Sequence, residues 1–180
     1  MGLLSALRET VFPVFSGRLR RHFITVPALM RDGDITLRAI GPFAKRRDIS
    51  AADGLAGFKS MRRLKKALPL CYYIEAGTVC IGLAGMRDIR PGKSAEAALI
   101  IFSTDWRRRG YGSRAFRLLA KNLKTRGIFE RLTVRVEKEN PAAISFWRKM
   151  GFFVEKAETG EKTITEMRLD MSKEDAIGRI

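Results

Sequence analysis

Apolar residues recur along the chain at two spacings, and together these spacings predict both strands and helices. Short apolar runs bounded by turn residues predict strands over 35–40, 70–75, 78–88, 96–102 and 132–136, and a closing hairpin over 152–156 and 163–169. Apolar residues at helical spacing predict one or two helices over 42–66, and one each over 113–125 and 141–150. This order predicts an α/β (α+β) fold, with a mixed central sheet that has helices on both faces.

The N-terminal segment differs from the rest of the chain. Residues 3–30 mix apolar side chains with several arginines, and the first part predicts a short amphipathic helix broken at Pro13. This leader could pack on the domain, mediate dimerisation or lie on an anionic membrane, and packing ranks first. With no linker, repeat or low-complexity tract, the prediction is a leader over 1–30 and a single domain over 31–180.

The sequence RRRGYG over 107–112 lies between a predicted strand and a predicted helix. Glycines let a backbone approach a ligand closely, and the first turn of a helix leaves amide groups without partners. With the helix dipole and three arginines, these features predict a phosphate or pyrophosphate site, although a tight connection is the alternative. The spacings of a Walker loop and of a dinucleotide fingerprint are absent. The candidate ligands are Arg107, Arg108, Arg109, Gly110, Tyr111, Gly112 and Ser113.

Two motifs here resemble the GNAT superfamily of N-acetyltransferases. The pattern [Arg/Gln]-x-x-Gly-x-Gly after a strand is similar to the acetyl-CoA loop of that superfamily. Its later segment, Asn-x-x-Ala-x-x-x-Tyr-x-x-x-Gly-Phe, is matched at Asn140, Ala143, Trp147 and Gly151-Phe152. The resemblance covers roughly 36–170 and is sharp over 96–152. It implies a mostly antiparallel sheet flanked by helices, acetyl-CoA as co-substrate and an amine acceptor.

The resemblance also implies roles for backbone groups and for one asparagine. The backbone near Ile101 and Phe102 would pair with the pantetheine arm, and an N–H there would polarise the thioester carbonyl. Asn140 would hydrogen-bond the CoA arm. Its alternative role is the N-cap of a helix that starts at Pro141, and both roles are compatible.

Glu96 is the predicted general base. It lies in an otherwise apolar segment, where partial burial would raise its pKa toward the useful range. Its place before the loop resembles that of the glutamate base in histone-type members of the superfamily. The alternative is an exposed strand-end carboxylate, or one paired with a basic neighbour. Glu75, Asp88, Glu137 and Glu139 are the reserve candidates for the base, acting through water.

Trp147 occupies the position of the family's tyrosine, which serves as general acid toward the thiolate. An indole N–H can donate a hydrogen bond but is not a practical proton donor to sulfur. Water or Tyr111 could instead reprotonate the thiolate. Phe146 and Trp147 fit equally well as core aromatics.

Charge changes the picture less than the motifs do. The 180 residues include 35 basic and 19 acidic ones, for a formal net charge of +16. Such a chain attracts anions, including CoA, acidic substrates, nucleic acid and anionic membranes, although a solvated basic surface is an equal alternative. Nucleic acid is a candidate partner but is not favoured, because no helix-turn-helix, RRM or zinc pattern occurs.

The cysteines, the single histidine and the lack of a long apolar run limit the compartment and the metal chemistry that we expect. Cys71 and Cys80 are expected to be free thiols in a reducing compartment, and His22 is the only histidine, so no metal site is indicated. No apolar run has the length of a membrane span, and no secretory signal is evident, so the protein is expected to be cytoplasmic.

The leading hypothesis is transfer of an acetyl group from acetyl-CoA to a primary amine by direct attack in a ternary complex. The acceptor is a small molecule or a protein. The second hypothesis is an acyl-CoA-binding or nucleic-acid-associated module on the same scaffold, with little or no turnover.

Overall fold

The computed structural model describes residues 9–16, 20–40, 67–155 and 163–172. Ten strands and two α-helices lie in these ranges. The strands are β1 (Glu9–Ser16), β2 (Arg20–Pro27), β3 (Leu29–Asp32), β4 (Ile35–Ala39), β5 (Leu70–Ala76), β6 (Val79–Arg90), β7 (Ser94–Ile101), β8 (Arg131–Glu137), β9 (Phe153–Val154) and β10 (Ile164–Asp170). The helices are α1 (Tyr111–Thr125) and α2 (Pro141–Lys149), and a short 3-10 turn covers Thr104–Trp106.

Eight of the strands form one sheet, in the order β3-β4-β5-β6-β7-β8-β10-β9. Every neighbouring pair is antiparallel except β7 and β8, which run parallel. Parallel neighbours need a long crossover, and α1 lies in the segment that connects them. The predicted mixed, mostly antiparallel sheet is confirmed. The helices predicted over 42–66 lie outside the described residues.

Apolar side chains are buried on both faces of the central strands. In β5, Leu70, Tyr72 and Ile74 belong to the main core, which also contains the buried faces of α1 and α2. Their neighbours Cys71 and Tyr73 point to the other face and join a second, smaller cluster. Because side chains alternate along a strand, a strand buried on both sides reads as a continuous apolar run.

The leader does not form the predicted helix over its described part. Strands β1 and β2 pair antiparallel as a two-stranded ribbon, from Glu9 opposite Pro27 to Ser16 opposite Arg20. The segment is rich in β-branched and aromatic residue types, which favour strands, and this preference outweighs the weak helical spacing. Ile24 and Val26 are buried in the main core, so β2 packs on the domain. Residues 1–8 lie outside the described residues.

Both cysteines in the described ranges are free thiols, as predicted. Burial raises the pKa of Cys71 and of Cys80 above the ordinary thiol value. Neither helix in the described ranges is long and apolar enough to cross a membrane.

Candidate active site

A gap opens between the parallel strands β7 and β8. Their pairing covers Ser94–Arg131, Ala95–Leu132 and Glu96–Thr133, and ends there. Strand β7 continues to Ile101, still paired with β6, and β8 continues to Glu137, paired with β10. The sheet is therefore split at one end, and residues 97–101 present a free backbone edge to the gap.

The register of β6 and β7 decides which backbone groups face this gap. The N–H of Phe102 donates to the carbonyl of Ile81 at 2.9 Å, so Phe102 points toward β6. Hydrogen-bonding direction alternates along an antiparallel strand, so the peptide groups of Ile101 and Leu99 face the gap. Of the two predicted residues, Ile101 presents its backbone there and Phe102 does not. The sequence analysis did not name Leu99, because the direction of its peptide group depends on the register of β6 and β7.

The first arginine of the loop is turned toward the strand. Arg107 donates from Nε to the carbonyl of Ile101 at 3.1 Å, and from Nη2 to that of Phe102 at 3.2 Å. Arg107 therefore satisfies carbonyls at the end of β7. Arg108 and Arg109 are exposed and stay available to an anion.

The N-terminus of α1 has the geometry of an anion site. Gly110 is the N-cap, with φ of 84°, and no side chain caps the helix. The first intrahelical bond is from the N–H of Arg114 to the carbonyl of Gly110, at 3.0 Å. The amides of Tyr111, Gly112 and Ser113 precede it, so they have no helical acceptor. Such amides at the positive end of a helix dipole bind phosphate groups.

A cluster on the turn between β3 and β4 holds this end of α1. Arg114 donates from Nη1 to Oδ1 of Asp34 at 2.7 Å and from Nε to Oδ2 of Asp32 at 3.3 Å. The hydroxyl of Tyr111 donates to Oδ2 of Asp34 at 3.2 Å. The hydroxyl of Tyr111 is therefore engaged with a carboxylate of the protein, and its ring lies against Trp106.

Glu96 lies in an ion-paired cluster, where its residue exposure is 4%. Oε1 accepts from Arg87 on β6, and Oε2 accepts from Nε of Arg135 on β8 at 2.9 Å. Nη2 of Arg135 lies 2.7 Å from the same oxygen in the ion pair. Burial acts to raise the pKa of Glu96, but its hydrogen bonds to the two arginines outweigh that effect and hold the pKa below its ordinary value. The prediction of a raised pKa is wrong, and the alternative, a carboxylate paired with basic neighbours, is confirmed. The two arginines lie on other strands, so the apolar sequence neighbours of Glu96 do not identify them.

A polar cavity of about 290 Å³ lies beside Glu96 on the same face of the sheet. Its lining combines arginines from β6 and β8 with carboxylates from β6, β7, β10 and the segment after β9. The lining residues are Asp88, Arg90, Ser94, Ala95, Glu96, Arg131, Thr133, Arg135, Glu155 and Glu166. This mixed lining suits a polar molecule better than an apolar one.

Asn140 is the N-cap of α2. Its Oδ1 accepts from the N–H of Ala143 at 3.0 Å, and Pro141 occupies the first helical position. The cap uses only the amide oxygen. The two donors on Nδ2 remain for a ligand at the open end of the gap, so the capping role and the predicted CoA contact are compatible.

Trp147 is a core residue. It is 7% exposed and packs edge to face against Phe116, Phe146 and Phe152, with ring centroids 4.9 to 5.2 Å apart. This position supports the interpretation as a core aromatic. The structure therefore gives no support to a catalytic role for its indole.

Comparison with known proteins agrees with this geometry. A family model described as the acetyltransferase (GNAT) family matches residues 44–152. A comparison with curated protein sequences finds no match.

Solved structures of N-acetyltransferases have a similar fold. One, from Salmonella typhimurium, modifies the N-terminal serine of a 50S ribosomal subunit protein; it is 15% identical, with a TM-score of 0.63 over 79% of this chain and 98% of that chain. Mutant forms of the spermidine/spermine N-acetyltransferase SpeG from Vibrio cholerae are 19% identical, with a TM-score of 0.60 over 82% of this chain and 99% of that chain. A RimL acetyltransferase in complex with coenzyme A is 16% identical, with a TM-score of 0.62 over 79% of this chain and 97% of that chain. At these identities the likeness concerns the fold alone.

Proposed function

Because the chain belongs to the GNAT family of acetyltransferases, we propose that it transfers the acetyl group of acetyl-CoA to a primary amine by direct attack in a ternary complex. One observation carries this proposal: the open gap between β7 and β8 lies beside a helix N-terminus whose first amides have no acceptor. The gap accepts an extended arm, and the helix end accepts a pyrophosphate. Few ligands other than an acyl-CoA need both.

Residues at the start of α1 would hold the pyrophosphate. The amides of Tyr111, Gly112 and Ser113 supply donors, and the exposed Arg108 and Arg109 add positive charge. A Cβ on Gly112 would meet Leu99 at 3.4 Å, so this turn lies directly against β7. The pantetheine arm then enters the gap next to the anchored phosphates.

The free edge of β7 would bind the arm and activate the thioester. The peptide groups of Leu99 and Ile101 face the gap, and the carbonyl of Ile101 is already bonded to Arg107. We assign polarisation of the thioester carbonyl to a backbone N–H of this edge. One such donor contributes about 3 kcal/mol to transition-state stabilisation in comparable acyl transfers.

Glu96, the predicted base, is better suited to positioning, since both of its oxygens are bound by arginines. Glu137 is the stronger candidate for removing a proton from the amine. It ends β8 on the same face as Arg135 and Glu96, it is exposed, and it forms no ion pair with another described residue. It could act through one water molecule.

Reprotonation of the CoA thiolate needs no side chain in this proposal. Trp147 is buried among aromatics, and the hydroxyl of Tyr111 already donates to Asp34. Water at the open end of the gap therefore supplies the proton. Asn140 holds the arm there through Nδ2.

The acceptor is assigned only by class, as a primary amine of a small molecule or a protein. The similar structures act on a protein N-terminus and on polyamines. The net charge of +16 argues mildly against a polycationic acceptor. The cytoplasm supplies acetyl-CoA and suits the free thiols Cys71 and Cys80, so we place the protein there. Dimerisation is a separate expectation, which size-exclusion chromatography tests.

The test is calorimetric titration with acetyl-CoA, with dephospho-CoA and ATP as controls, followed by initial-rate kinetics on a panel of amines. Micromolar binding of the thioester and intersecting double-reciprocal plots support the proposal. Absence of acetyl-CoA binding overturns it. Binding without turnover on any amine supports the second hypothesis, a low-turnover acyl-CoA module, which the ion-paired Glu96 and the buried Trp147 favour.

A further inference from the structure

We propose that Asp34, acting through Arg114 and Tyr111, is a positioning residue that fixes the anion-binding turn of α1. The inference rests on the proposed function, since it concerns how that turn receives the pyrophosphate. The carboxylate of Asp34 bonds to side chains of this turn and not to its amides. Its two oxygens accept from Tyr111, the first residue of the turn, and from Arg114, the residue that follows the free amides.

The contacts are distributed over the whole first turn. Oδ2 of Asp34 accepts from the hydroxyl of Tyr111 at 3.2 Å, and Oδ1 accepts from Nη1 of Arg114 at 2.7 Å. Tyr111 is the first residue of α1, and Arg114 is the first to make an intrahelical backbone bond. Gly112 and Ser113 lie between them. One carboxylate therefore holds both ends of the segment whose amides are free.

The anchor is itself held in place. The carbonyl of Asp34 accepts from the N–H of Gly77 at 2.9 Å, which ties this turn to the turn between β5 and β6. Arg114 also donates from Nη2 to the carbonyl of Asp32. Gly33 has φ of 59°, and a Cβ there would lie 2.9 Å from Nη2 of Arg114. The positive φ favours glycine, and a side chain at this position would displace the guanidinium of Arg114.

The charges explain why such an anchor is needed. The first turn of α1 contains no acidic residue and is followed by Arg114, whose charge lies at the positive end of the helix dipole. Asp32 and Asp34 supply the missing negative charge from a different element. Their bonds to Arg114 draw its guanidinium away from the phosphates, so the turn presents backbone donors in a fixed orientation. The hydrogen bond from Arg114 also holds the pKa of Asp34 below its ordinary value.

The test measures binding and catalysis in Asp34→Asn and Tyr111→Phe. Asp34 and Arg114 form an exposed ion pair, and exposed pairs contribute little free energy, so the expected effects are modest. We expect the Kd and KM for acetyl-CoA to rise about three- to tenfold in Asp34→Asn and about twofold in Tyr111→Phe. The kcat and the KM for the amine should stay within about twofold of wild type, because the reacting groups are unchanged. Arg114→Lys should behave like Asp34→Asn, because an ammonium cannot make the forked contact.

A matched control is Arg38→Gln. Arg38 lies on β4, the strand that follows the turn, and the variant removes its hydrogen bonds to Glu75, at 2.8 and 3.0 Å. These bonds join β4 to β5 and do not involve Asp34, Tyr111 or Arg114. This variant should keep the acetyl-CoA Kd of the wild type. Amide exchange at Gly112 and Ser113, followed by NMR, should accelerate in Asp34→Asn and not in Arg38→Gln.

Three outcomes overturn the inference. One is an unchanged acetyl-CoA Kd in Asp34→Asn, and another is an equal loss in Arg38→Gln. The third is a fall in kcat of Tyr111→Phe at constant Kd, which would make Tyr111 a proton donor. If Asp34→Asn does not fold, the KM-against-kcat split of Tyr111→Phe decides. Failure of the proposed function can be distinguished from failure of this inference, because in that case the wild-type protein itself would not bind acetyl-CoA.

Discussion

The guanidinium of Arg135 bonds to the carboxylate of Glu96 across the boundary between β7 and β8, at 2.7 and 2.9 Å. Arg135 lies two residues beyond Thr133, where backbone pairing between the strands ends. Arg87 bonds the other oxygen of Glu96 from β6. One carboxylate thus joins three strands at the point where the gap begins.

Glu96→Gln should lower the free energy of unfolding at pH 7 by about 1–3 kcal/mol, because two charge-assisted hydrogen bonds are weakened. The folded-state pKa of Glu96 lies below the ordinary value of 4.5, so its contribution is complete above that pH and is lost as the pH falls through the lowered pKa. Chemical denaturation between pH 7 and 3 measures this, and the variant should lose less stability on acidification than the wild type. A parallel loss in both proteins would contradict this expectation.

Glu137→Gln should lower kcat by about 10²-fold or more, because general-base catalysis typically contributes 10²–10⁴. In Glu96→Gln, kcat should fall less than in Glu137→Gln, because Glu96 acts by positioning and does not take the proton. Steady-state kinetics on both variants measures this. A larger fall in kcat in Glu96→Gln than in Glu137→Gln would restore Glu96 as the base.

Gly112→Ala should fold normally, because its Cβ would meet Leu99 and Phe146 at 3.4 and 3.6 Å, within ordinary contact distance. Gly112→Asp should reduce acetyl-CoA affinity at least 100-fold, since a carboxylate would repel the pyrophosphate at the helix N-terminus. Lys93→Asp places the same carboxylate in the exposed turn at the other end of β7, at a position without positive φ, and is the control. Calorimetry measures all three, and near-wild-type binding by Gly112→Asp would refute the phosphate site.

Asn140→Ser should retain the helix cap and lose the Nδ2 donors. We expect its melting temperature to stay near that of the wild type while its acetyl-CoA affinity falls. Asn140→Ala should lose both, with about 1 kcal/mol less stability. Thermal denaturation and calorimetry separate the effects. If the two variants bind acetyl-CoA as the wild type does, Asn140 is a cap and nothing more.

Trp147→Ala should lower the free energy of unfolding by about 3–5 kcal/mol, because it empties a site among three aromatic rings. Trp147→Phe should retain most of the stability, and its kcat should remain within about twofold of the wild type. Urea denaturation and steady-state kinetics test this. A large kcat loss in a stable Trp147→Phe protein would indicate a catalytic role.

Local signals in the sequence were sufficient for the glycine turn at the start of α1 and for the strand and helix order of 67–155. Gly110, Asn140 and Pro141 mark helix starts whatever surrounds them, so α1 and α2 were predicted to within a few residues. The arginines around Glu96 come from β6 and β8, and their approach depends on strand order and register. The ribbon of β1 and β2 was missed because its residue types favour strands while the apolar spacing suggested a helix.

The short parallel ladder between β7 and β8 divides the sheet into two leaves that share one seam. The leaf from β3 to β7 and the leaf of β8, β10 and β9 meet over three backbone pairs and the Glu96 bridge. The free edge of β7 beyond the seam is about 16 Å long at about 3.3 Å per residue, so a rotation of about 5° at the seam changes the width of the open end by about 1.4 Å. The width available to a ligand therefore depends closely on the angle between the two leaves, which the three backbone pairs and the Glu96 bridge set.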